Sequence, residues 1–493
     1  MRSVHKLKKI ELYSIIHYTG YICILLGLVM LVPIIVALIY GEYKYITPFI
    51  YSSIVSLVIG VLLFKSFDNK KEISIKSAMI FVTLIWLIGS AIAALPYYLS
   101  GDLSYLNAYF EAMSGFTTTG FSMYNLDYAS FTMNFWRAFT QWLGGIGIIV
   151  MALTILSSPA VNIMRMYSAE GREERLAPSI RHTSRIILYI YLLYTAISII
   201  LFKLAGMPVF DSIFYAFTAL STGGFALENA SIAVYNNMWI EIVAIIVMII
   251  GATNFALHYT VLKGNWREYF KDIESKVSWA LLIGGTLLVA LFLYNGSVYG
   301  HDIFTSLRYS AFQVVTALTT TGLQTANPSD IPVQWEGLGI FILTLLMIIG
   351  AGACSTGGGI KWLRIGILVK GMWWEIKSLL LPQSAVISRK IHHVSDIKIN
   401  ENLLRLTGLF VFSYIVVYII SVIIVLFYYQ NLPQVLFEVA SGLSNVGLGS
   451  ALLTSTSPVV VKLVFIIDMW IGRLEIWPIL LLMAIAVQNT IRK

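Results

Sequence analysis

The sequence predicts an all-helical membrane protein that crosses the bilayer many times, and two observations support this fold class. The chain has 493 residues, of which 58% are hydrophobic and only 12% are charged, whereas a soluble protein of this size carries roughly 25% charged residues. One short pattern also recurs four times along the chain. The first observation places most of the chain in lipid, and the second indicates four repeated units inside the bilayer.

Long apolar stretches mark the candidate membrane helices. Each needs about 20 mostly apolar residues to cross the hydrocarbon core. The candidate stretches lie at 13–40, 46–64, 77–98, 138–157, 186–205, 239–262, 278–295, 338–352, 406–428 and 459–486. The first is too long for the apolar core of a cleaved signal peptide, so we expect it to be retained. Ten crossings would leave both termini in the cytoplasm.

The distribution of basic residues agrees with this topology. The 33 Lys and Arg residues give the chain a net charge of +8, but most fall in segments that the topology places in the cytoplasm. Those expected on or near the outer side are Lys44, Arg137, Lys203, Arg308 and Lys462. Because this asymmetry follows the positive-inside rule, the basic balance indicates orientation in the plasma membrane and not a nucleic-acid partner.

The repeated pattern aligns without gaps in its four copies, at 110–121, 214–225, 312–323 and 437–448. Each copy begins with Phe, becomes rich in small polar residues and ends in Gly followed by Phe or Leu. An apolar stretch precedes each copy and another follows it, which predicts a helix, a re-entrant loop and a second helix. We therefore divide the chain into two additional N-terminal helices and four repeats, at 1–70, 71–160, 161–270, 271–395 and 396–493.

The polar turn that ends each copy is the candidate cation site. Irregular backbone at membrane depth must be buried in protein or line an aqueous path. Four turns around one axis, in a pseudo-fourfold arrangement, would present rings of carbonyl oxygens that can replace the water shell of a cation, as in the filters of potassium channels. The candidate filter residues are Thr117, Thr118, Thr119, Gly120, Ser221, Thr222, Gly223, Gly224, Thr319, Thr320, Thr321, Gly322, Ser444, Asn445, Val446 and Gly447. The alternative, a small-residue surface for helix packing, explains one copy but not four.

Two acids, Glu111 and Glu438, lie on the short segments that precede the first and fourth turns. We expect them to brace those segments or to add negative potential, and not to coordinate ions directly. No ring of carboxylates lies in the turns themselves, although such rings are the usual device of less selective cation pores. The predicted site therefore depends on backbone and hydroxyl oxygens.

A glycine-rich stretch at 350–361 interrupts the apolar run that begins at 338. Small residues would let the backbone fold into a pore below the filter, so this stretch is a candidate gate; a simple kinked helix is the alternative. The candidate gate glycines are Gly350, Gly352, Gly357, Gly358 and Gly359. A dinucleotide fingerprint is not expected here, because that motif needs a preceding strand and a βαβ unit.

Two basic residues complete the candidate gate. Arg473 lies midway along the last apolar stretch, and a charge at that depth should face protein or water. An ion pair with Asp468 or Glu475 is the alternative to a role at the pore. We place Lys361 nearer the cytoplasmic edge, where its side chain could reach the interface.

Three local motifs then suggest a family. Residues 141–147 read Gln-Trp-Leu-Gly-Gly-Ile-Gly, residues 354–361 read Cys-Ser-Thr-Gly-Gly-Gly-Ile-Lys, and residues 472–475 read Gly-Arg-Leu-Glu. Together with the fourfold pattern and the two additional helices, they resemble the Trk-type membrane subunit of the Trk, Ktr and HKT potassium transporter superfamily. The resemblance covers nearly the whole chain.

The resemblance implies a single chain folded like a tetrameric potassium channel, usually assembled as a homodimer. It also implies a cytosolic regulatory ring that binds nucleotides, so that this chain itself binds no cofactor and potassium is its substrate. The resemblance makes the glycine-rich stretch a gate that moves on activation. It places Arg473 in the cavity beneath the filter, as an electrostatic barrier.

We therefore expect potassium uptake through a gated pore, driven by the membrane potential. Symport with sodium or protons is the alternative; it would need a second ionisable site, for which Glu111, Glu438 and Asp468 are the available acids. A membrane enzyme or receptor is the alternative class. We expect no hydrolase, because the turns have no Ser-His-Asp arrangement, and no metal at His392 and His393, which have no carboxylate at ligand spacing.

Overall fold

The computed structural model describes residues 9–67, 75–126, 129–147, 180–326, 335–382 and 389–491. These residues are almost entirely helical. The helices are Lys9–Val29, Val32–Ile39, Ile46–Ser66, Ile75–Ala93, Leu95–Leu99, Tyr105–Phe116, Phe131–Ile146, Ile180–Leu204, Val209–Leu220, Met238–Ala252, Phe255–Leu262, Arg267–Lys271, Ile273–Asn295, Ile303–Leu318, Leu338–Ile349, Trp362–Leu380, Glu401–Leu426, Leu432–Leu443, Val459–Arg473 and Trp477–Ile491.

Six helices of the described chain are long and apolar enough to cross a membrane, or seven if one bent pair is a single span. Three of the other predicted stretches form shorter helices, Phe131–Ile146, Leu338–Ile349 and Val459–Arg473. The predicted stretch at 138–157 is described only as far as residue 147, and the rest lies outside the described residues. The chain is thus a multi-pass helical membrane protein in which the helices that follow the polar turns are short.

Two stretches predicted as continuous helices are broken. Met238–Ala252 and Phe255–Leu262 meet at an angle of 104°, because Thr253 is extended and the Asn254 side chain caps the second helix by accepting from the Ala256 amide at 2.8 Å. The last stretch breaks after Arg473 where Glu475 and Ile476 have φ values of 57° and 65°. Averaged hydropathy does not register either break, because the polar residues there, Asn254 and Glu475, have mostly apolar neighbours in the sequence.

A two-stranded antiparallel hairpin, Lys390–His393 with Ser395–Lys398, is the exception to the all-helical prediction. Ile391 pairs with Ile397, and this apolar face packs on a small cluster that includes Ile273. His392 bridges Asp396 and Glu268, each at 2.8 Å. The hydrogen bond with Asp396 is the main reason that the pKa of His392 is raised, with Glu268 adding to it and partial burial opposing it.

The N-terminal helix pair packs through small residues. The backbones of Lys9–Val29 and Ile46–Ser66 approach so closely at Gly20 and Gly60 that a Cβ on Gly60 would lie 2.8 Å from the Gly20 carbonyl oxygen. Ser56 donates across the pair to the Cys23 carbonyl oxygen at 2.7 Å. Close backbone approach and interhelical hydrogen bonds replace the hydrophobic driving force that is missing in lipid.

We expect Gly60→Leu to lower the thermal unfolding midpoint of the purified protein in detergent, because the added side chain forces the two helices apart at a cost of about 1–3 kcal/mol. Gly284→Leu is the matched control, since an added Cβ at Gly284 meets no atom within 4 Å. Equal midpoints for the two variants would contradict the proposed packing.

Candidate filter and gate

Four short helices carry the polar turns, and each ends at the same aligned position. They are Tyr105–Phe116, Val209–Leu220, Ile303–Leu318 and Leu432–Leu443. The backbone amide of the third turn residue donates to a carbonyl one turn back in its own helix in all four copies, at 2.8–2.9 Å: Thr119 to Ser114, Gly223 to Thr218, Thr321 to Thr316 and Val446 to Ser441. The sequence repeat is therefore also a repeat of local structure.

The turns share an unusual backbone conformation at two positions. The second residue is left-handed in each copy, with φ of 54° at Thr118, 52° at Thr222, 55° at Thr320 and 55° at Asn445. This conformation is rare for a β-branched residue. The Thr118 and Thr222 hydroxyls donate to the carbonyl of the preceding residue at 2.7 Å. The fourth residue is the aligned glycine, also with positive φ in every copy.

The four glycines bring the turns into contact in a closed order. A Cβ on Gly120 would overlap the Gly223 carbonyl oxygen, one on Gly224 that of Thr321, one on Gly322 that of Val446, and one on Gly447 that of Thr119. Each turn thus packs its glycine against a backbone carbonyl of the next, and the fourth packs against the first. Space as well as φ excludes other residues at these positions.

Polar side chains from the following helix brace the turns. Arg137 and Glu111, both fully buried, form an ion pair at 2.7 Å, and Glu111 also accepts from the Met123 amide at 2.7 Å. Gln141 donates to the Gly223 carbonyl at 2.6 Å and accepts from the Phe225 amide at 3.1 Å. The sequence analysis assigned Arg137 only to the outer side, because its partner lies 26 positions earlier in the chain.

The glycine-rich stretch is not a kinked helix. The preceding helix ends at Ile349 and the next begins at Trp362, and the connecting loop lies against the turns. The Gly358 amide donates to the Thr320 hydroxyl at 2.8 Å, and the Thr356 hydroxyl donates to the Leu220 carbonyl at 3.1 Å. A Cβ on Gly358 would overlap the Ser444 carbonyl oxygen. The loop therefore contacts the ends of the short helices of repeats 2, 3 and 4.

Arg473 joins the loop to the first turn. Its guanidinium donates to the Thr356 carbonyl at 2.7 Å, to the Thr118 hydroxyl at 3.3 Å, and to the carbonyls of Gly144 and Gly145. The acids considered as its partners make other contacts: Glu475 pairs with Arg364, and Asp468 accepts from Ser421 at 2.6 Å. Arg473 thus bridges the structural parts that the sequence analysis assigned to filter and gate.

The expectation that the Lys361 side chain could reach the membrane interface is wrong. This side chain is only 6% exposed, and its Nζ donates to the Gly357 carbonyl inside the loop. An explanation by reach toward the interface does not apply to a side chain buried in this way. A second fixed positive charge therefore lies within the loop, where hydropathy alone placed the side chain at the membrane edge.

Glu274 is a residue that the sequence analysis missed. Its carboxylate accepts from the amide of Ala353, in the loop, at 2.6 Å and from Asn254 at 3.2 Å. It also lies 3.9 Å from the His393 ring, which is bonded to Asp272 at 3.1 Å. These carboxylates are about 120 positions from His393 along the chain, so spacing in the sequence gave no sign of them. The contacts connect the hairpin to the loop.

Comparisons with known proteins agree with this architecture. The TrkH family model, described as a cation transport protein, matches residues 46–491. The chain belongs to the TrkH family. This TrkH-family chain is 33% identical to an uncharacterized cation transporter of Methanocaldococcus jannaschii over 99% of its length and 98% of the relative. It is 31% identical to the Trk system potassium uptake protein TrkH of Salmonella typhimurium, over 95% and 98%.

A solved structure of the family has the same overall fold. The crystal structure of the potassium transporter TrkH from Vibrio parahaemolyticus matches with a TM-score of 0.84 and 29% identity, covering 96% of this chain and 98% of that one. The family resemblance stated from the sequence motifs is therefore confirmed. The prediction that the chain is a transporter and not an enzyme is confirmed as well.

For this TrkH-family chain we expect Gly224→Ala to lower the thermal midpoint and to abolish cation transport in liposomes. The new methyl group must overlap the Thr321 carbonyl, and the positive φ adds roughly 1–2 kcal/mol of strain. Gly449→Ala is the control, because its nearest neighbours would be 3.9 Å away. A Gly224→Ala protein as stable and active as the control would show that the turns do not depend on this contact.

Proposed function

We propose that this chain takes up potassium through a gated pore, with the four turns as its selectivity filter in a pseudo-fourfold arrangement. The closed order of contacts among Gly120, Gly224, Gly322 and Gly447 is the observation that carries the proposal. It supports one shared axis at which the backbone carbonyls of all four repeats converge, as potassium coordination requires. The names of the relatives, a potassium uptake protein and a potassium transporter, support the choice of ion.

The short helices supply the electrostatics of the proposed filter. Each ends immediately before its turn, so the partially negative ends of four helix dipoles lie next to the site and favour a cation. The membrane potential then supplies about 2.3 kcal/mol per charge for every 100 mV. Uptake on this scheme needs no chemical energy source in the chain.

The loop at 350–361 is the proposed gate. It lies directly against the turns, and two basic side chains, the buried Lys361 and the half-buried Arg473, hold its carbonyls at Gly357 and Thr356. Fixed positive charge beside the path would oppose the passage of a cation. Opening would then require the loop to leave these contacts.

Control of the gate is proposed to come from a cytosolic nucleotide-binding ring, with the transporter itself a homodimer whose termini both face the cytoplasm. The chain of contacts from the hairpin through Asp272, His393 and Glu274 to Ala353 supports a route for such control. It connects a predicted cytoplasmic segment to the backbone of the loop.

The experiment that tests the pore is potassium flux into liposomes under an applied potential, with and without Arg473→Met. We expect potassium-selective flux in the wild type and higher flux in Arg473→Met, because the loop loses its tie to the first turn and the barrier loses a charge. Arg405→Met is the control, since Arg405 is exposed and bonded to Asn402. Absence of potassium flux from every variant, even at high potential, would contradict the proposed pore.

The same liposomes distinguish a symporter from a pore. Asp468 favours proton coupling as the second candidate, because it is buried, accepts from Ser421 and has an Oδ2 atom without a hydrogen-bond partner among the described residues. A pH-sensitive dye inside the liposomes reports this directly. Proton movement that matches potassium movement would favour symport, whereas potassium flux without it favours the pore.

The proposed route to the gate gives a separate expectation. Glu274→Ala removes the acceptor of the Ala353 amide, so we expect higher potassium flux in the absence of any partner subunit. Glu268→Ala is the control, because Glu268 also bonds the hairpin but does not contact the loop. Equal basal flux in the two variants would show that Glu274 does not restrain the gate.

A further inference from the structure

A small cavity lies on the face of the turns opposite the loop. Its volume is about 170 Å³, and the four aligned glycines, Gly120, Gly224, Gly322 and Gly447, all line it. On the proposed function, on which this inference rests, the cavity is the mouth that an ion enters before the filter. The charged side chains that line it are Arg137, Glu228 and Glu438.

Glu438 occupies a position with a shared structural role in three of the repeats. The aligned residues are Glu111, Tyr215, Gln313 and Glu438. Glu111 accepts from the Met123 amide at 2.7 Å, Tyr215 from the Leu227 amide at 3.4 Å and Glu438 from the Ser450 amide at 2.7 Å. In each case the donor is the third residue after the filter glycine. Bracing the chain beyond the filter therefore needs an acceptor at this position but not a charge.

The two glutamates differ in what balances their charge. Glu111 is paired with Arg137 at 2.7 Å. Glu438 accepts through Oε1 alone, from the Ser450 amide and hydroxyl and from the Leu452 amide. Its Oε2 atom is buried and has no hydrogen-bond partner within the part of the chain that the structure describes. Because a buried carboxylate oxygen is costly without a partner, this atom indicates a partner that comes from the cavity.

We propose that Oε2 of Glu438 binds a monovalent cation at the mouth of the filter, before the ion enters the turns. The atom belongs to a side chain that is 1% exposed, and the same cavity is lined by the filter glycines. A single buried carboxylate suits a monovalent ion, because calcium takes six to eight oxygen ligands and usually several carboxylates. Glu228, the other acid on the cavity, is exposed at its rim.

The site has a defined place in the path. Oε1 keeps the segment after Gly447 in position, and Oε2 concentrates cations at the mouth, so one carboxylate performs two separable tasks. Low dielectric around a buried carboxylate strengthens its attraction for a cation beyond that of an exposed acid. The result is a higher occupancy of the filter at low external potassium.

Glu438→Gln separates the two tasks. The amide oxygen of the new glutamine can still accept from Ser450 and Leu452, the donors that Oε1 of Glu438 binds. We expect the external potassium concentration for half-maximal uptake to rise about tenfold, since an ionised acceptor is replaced by a neutral one. Glu438→Asp, which keeps the charge, should change the half-maximal concentration less than Glu438→Gln does.

Glu228→Gln is the matched control for charge on the same cavity. Because Glu228 is exposed, the effect of Glu228→Gln on the half-maximal potassium concentration should vanish when an impermeant salt raises the ionic strength. The effect of Glu438→Gln on the same quantity should persist. A second readout is independent of flux. Potassium should raise the thermal midpoint of the wild type in detergent at lower concentrations than it does for Glu438→Gln.

Each outcome decides the proposal. A half-maximal potassium concentration in Glu438→Gln equal to that of the wild type would overturn the cation site. A thermal midpoint lower than that of the wild type, but with the same dependence on potassium, would also overturn it. In either case Glu438 would be a brace only. Wild-type protein without potassium flux would instead overturn the proposed function. In that case, a potassium-dependent midpoint that is lost in Glu438→Gln would still support the cation site.

Discussion

The polar backbone of the four turns is the constraint on which the rest of the structure depends. At membrane depth its amides and carbonyls cannot be left to lipid, so each turn must be satisfied by protein or by an ion. The amides are satisfied within the short helices, by equivalent bonds in all four repeats. The close approach of neighbouring turns leaves room for hydrogen alone at the aligned glycines, so these positions do not tolerate a side chain.

The same constraint explains the polar side chains around the turns. Gln141, Glu111 and Glu438 each satisfy a backbone amide just after a filter glycine, and Thr356 and Arg473 satisfy carbonyls and hydroxyls on the other face. The glycine-rich loop can lie at this depth only because it bonds to the turns and to the broken helix at Ala252. Water molecules can replace hydrogen bonds of this kind. The proposed gate requires such replacement if the loop is to leave the turns and open an aqueous path.

The sequence predicts the features that repeat and misses those that depend on distant pairs. The four turns, their glycines and the helices around them follow from a pattern present in four copies. The buried ion pair of Arg137 and Glu111 joins residues on separate helices, and Glu274 reaches Ala353 from 79 positions away; neither contact leaves a local signal. The burial of Lys361 was missed for the same reason, since hydropathy indicates whether a segment lies in the membrane but not which atoms a side chain contacts.

The repeats keep one backbone and differ in their charges, and this difference separates structure from function. A brace near the turn is supplied by glutamate in repeat 1, by tyrosine in repeat 2 and by glutamate in repeat 4. The loop belongs to repeat 3, and the half-buried arginine that holds it belongs to repeat 4. On the proposed function, the unequal side chains are therefore where control of the loop and affinity for the ion can be set, while the turns that all four repeats share stay the same.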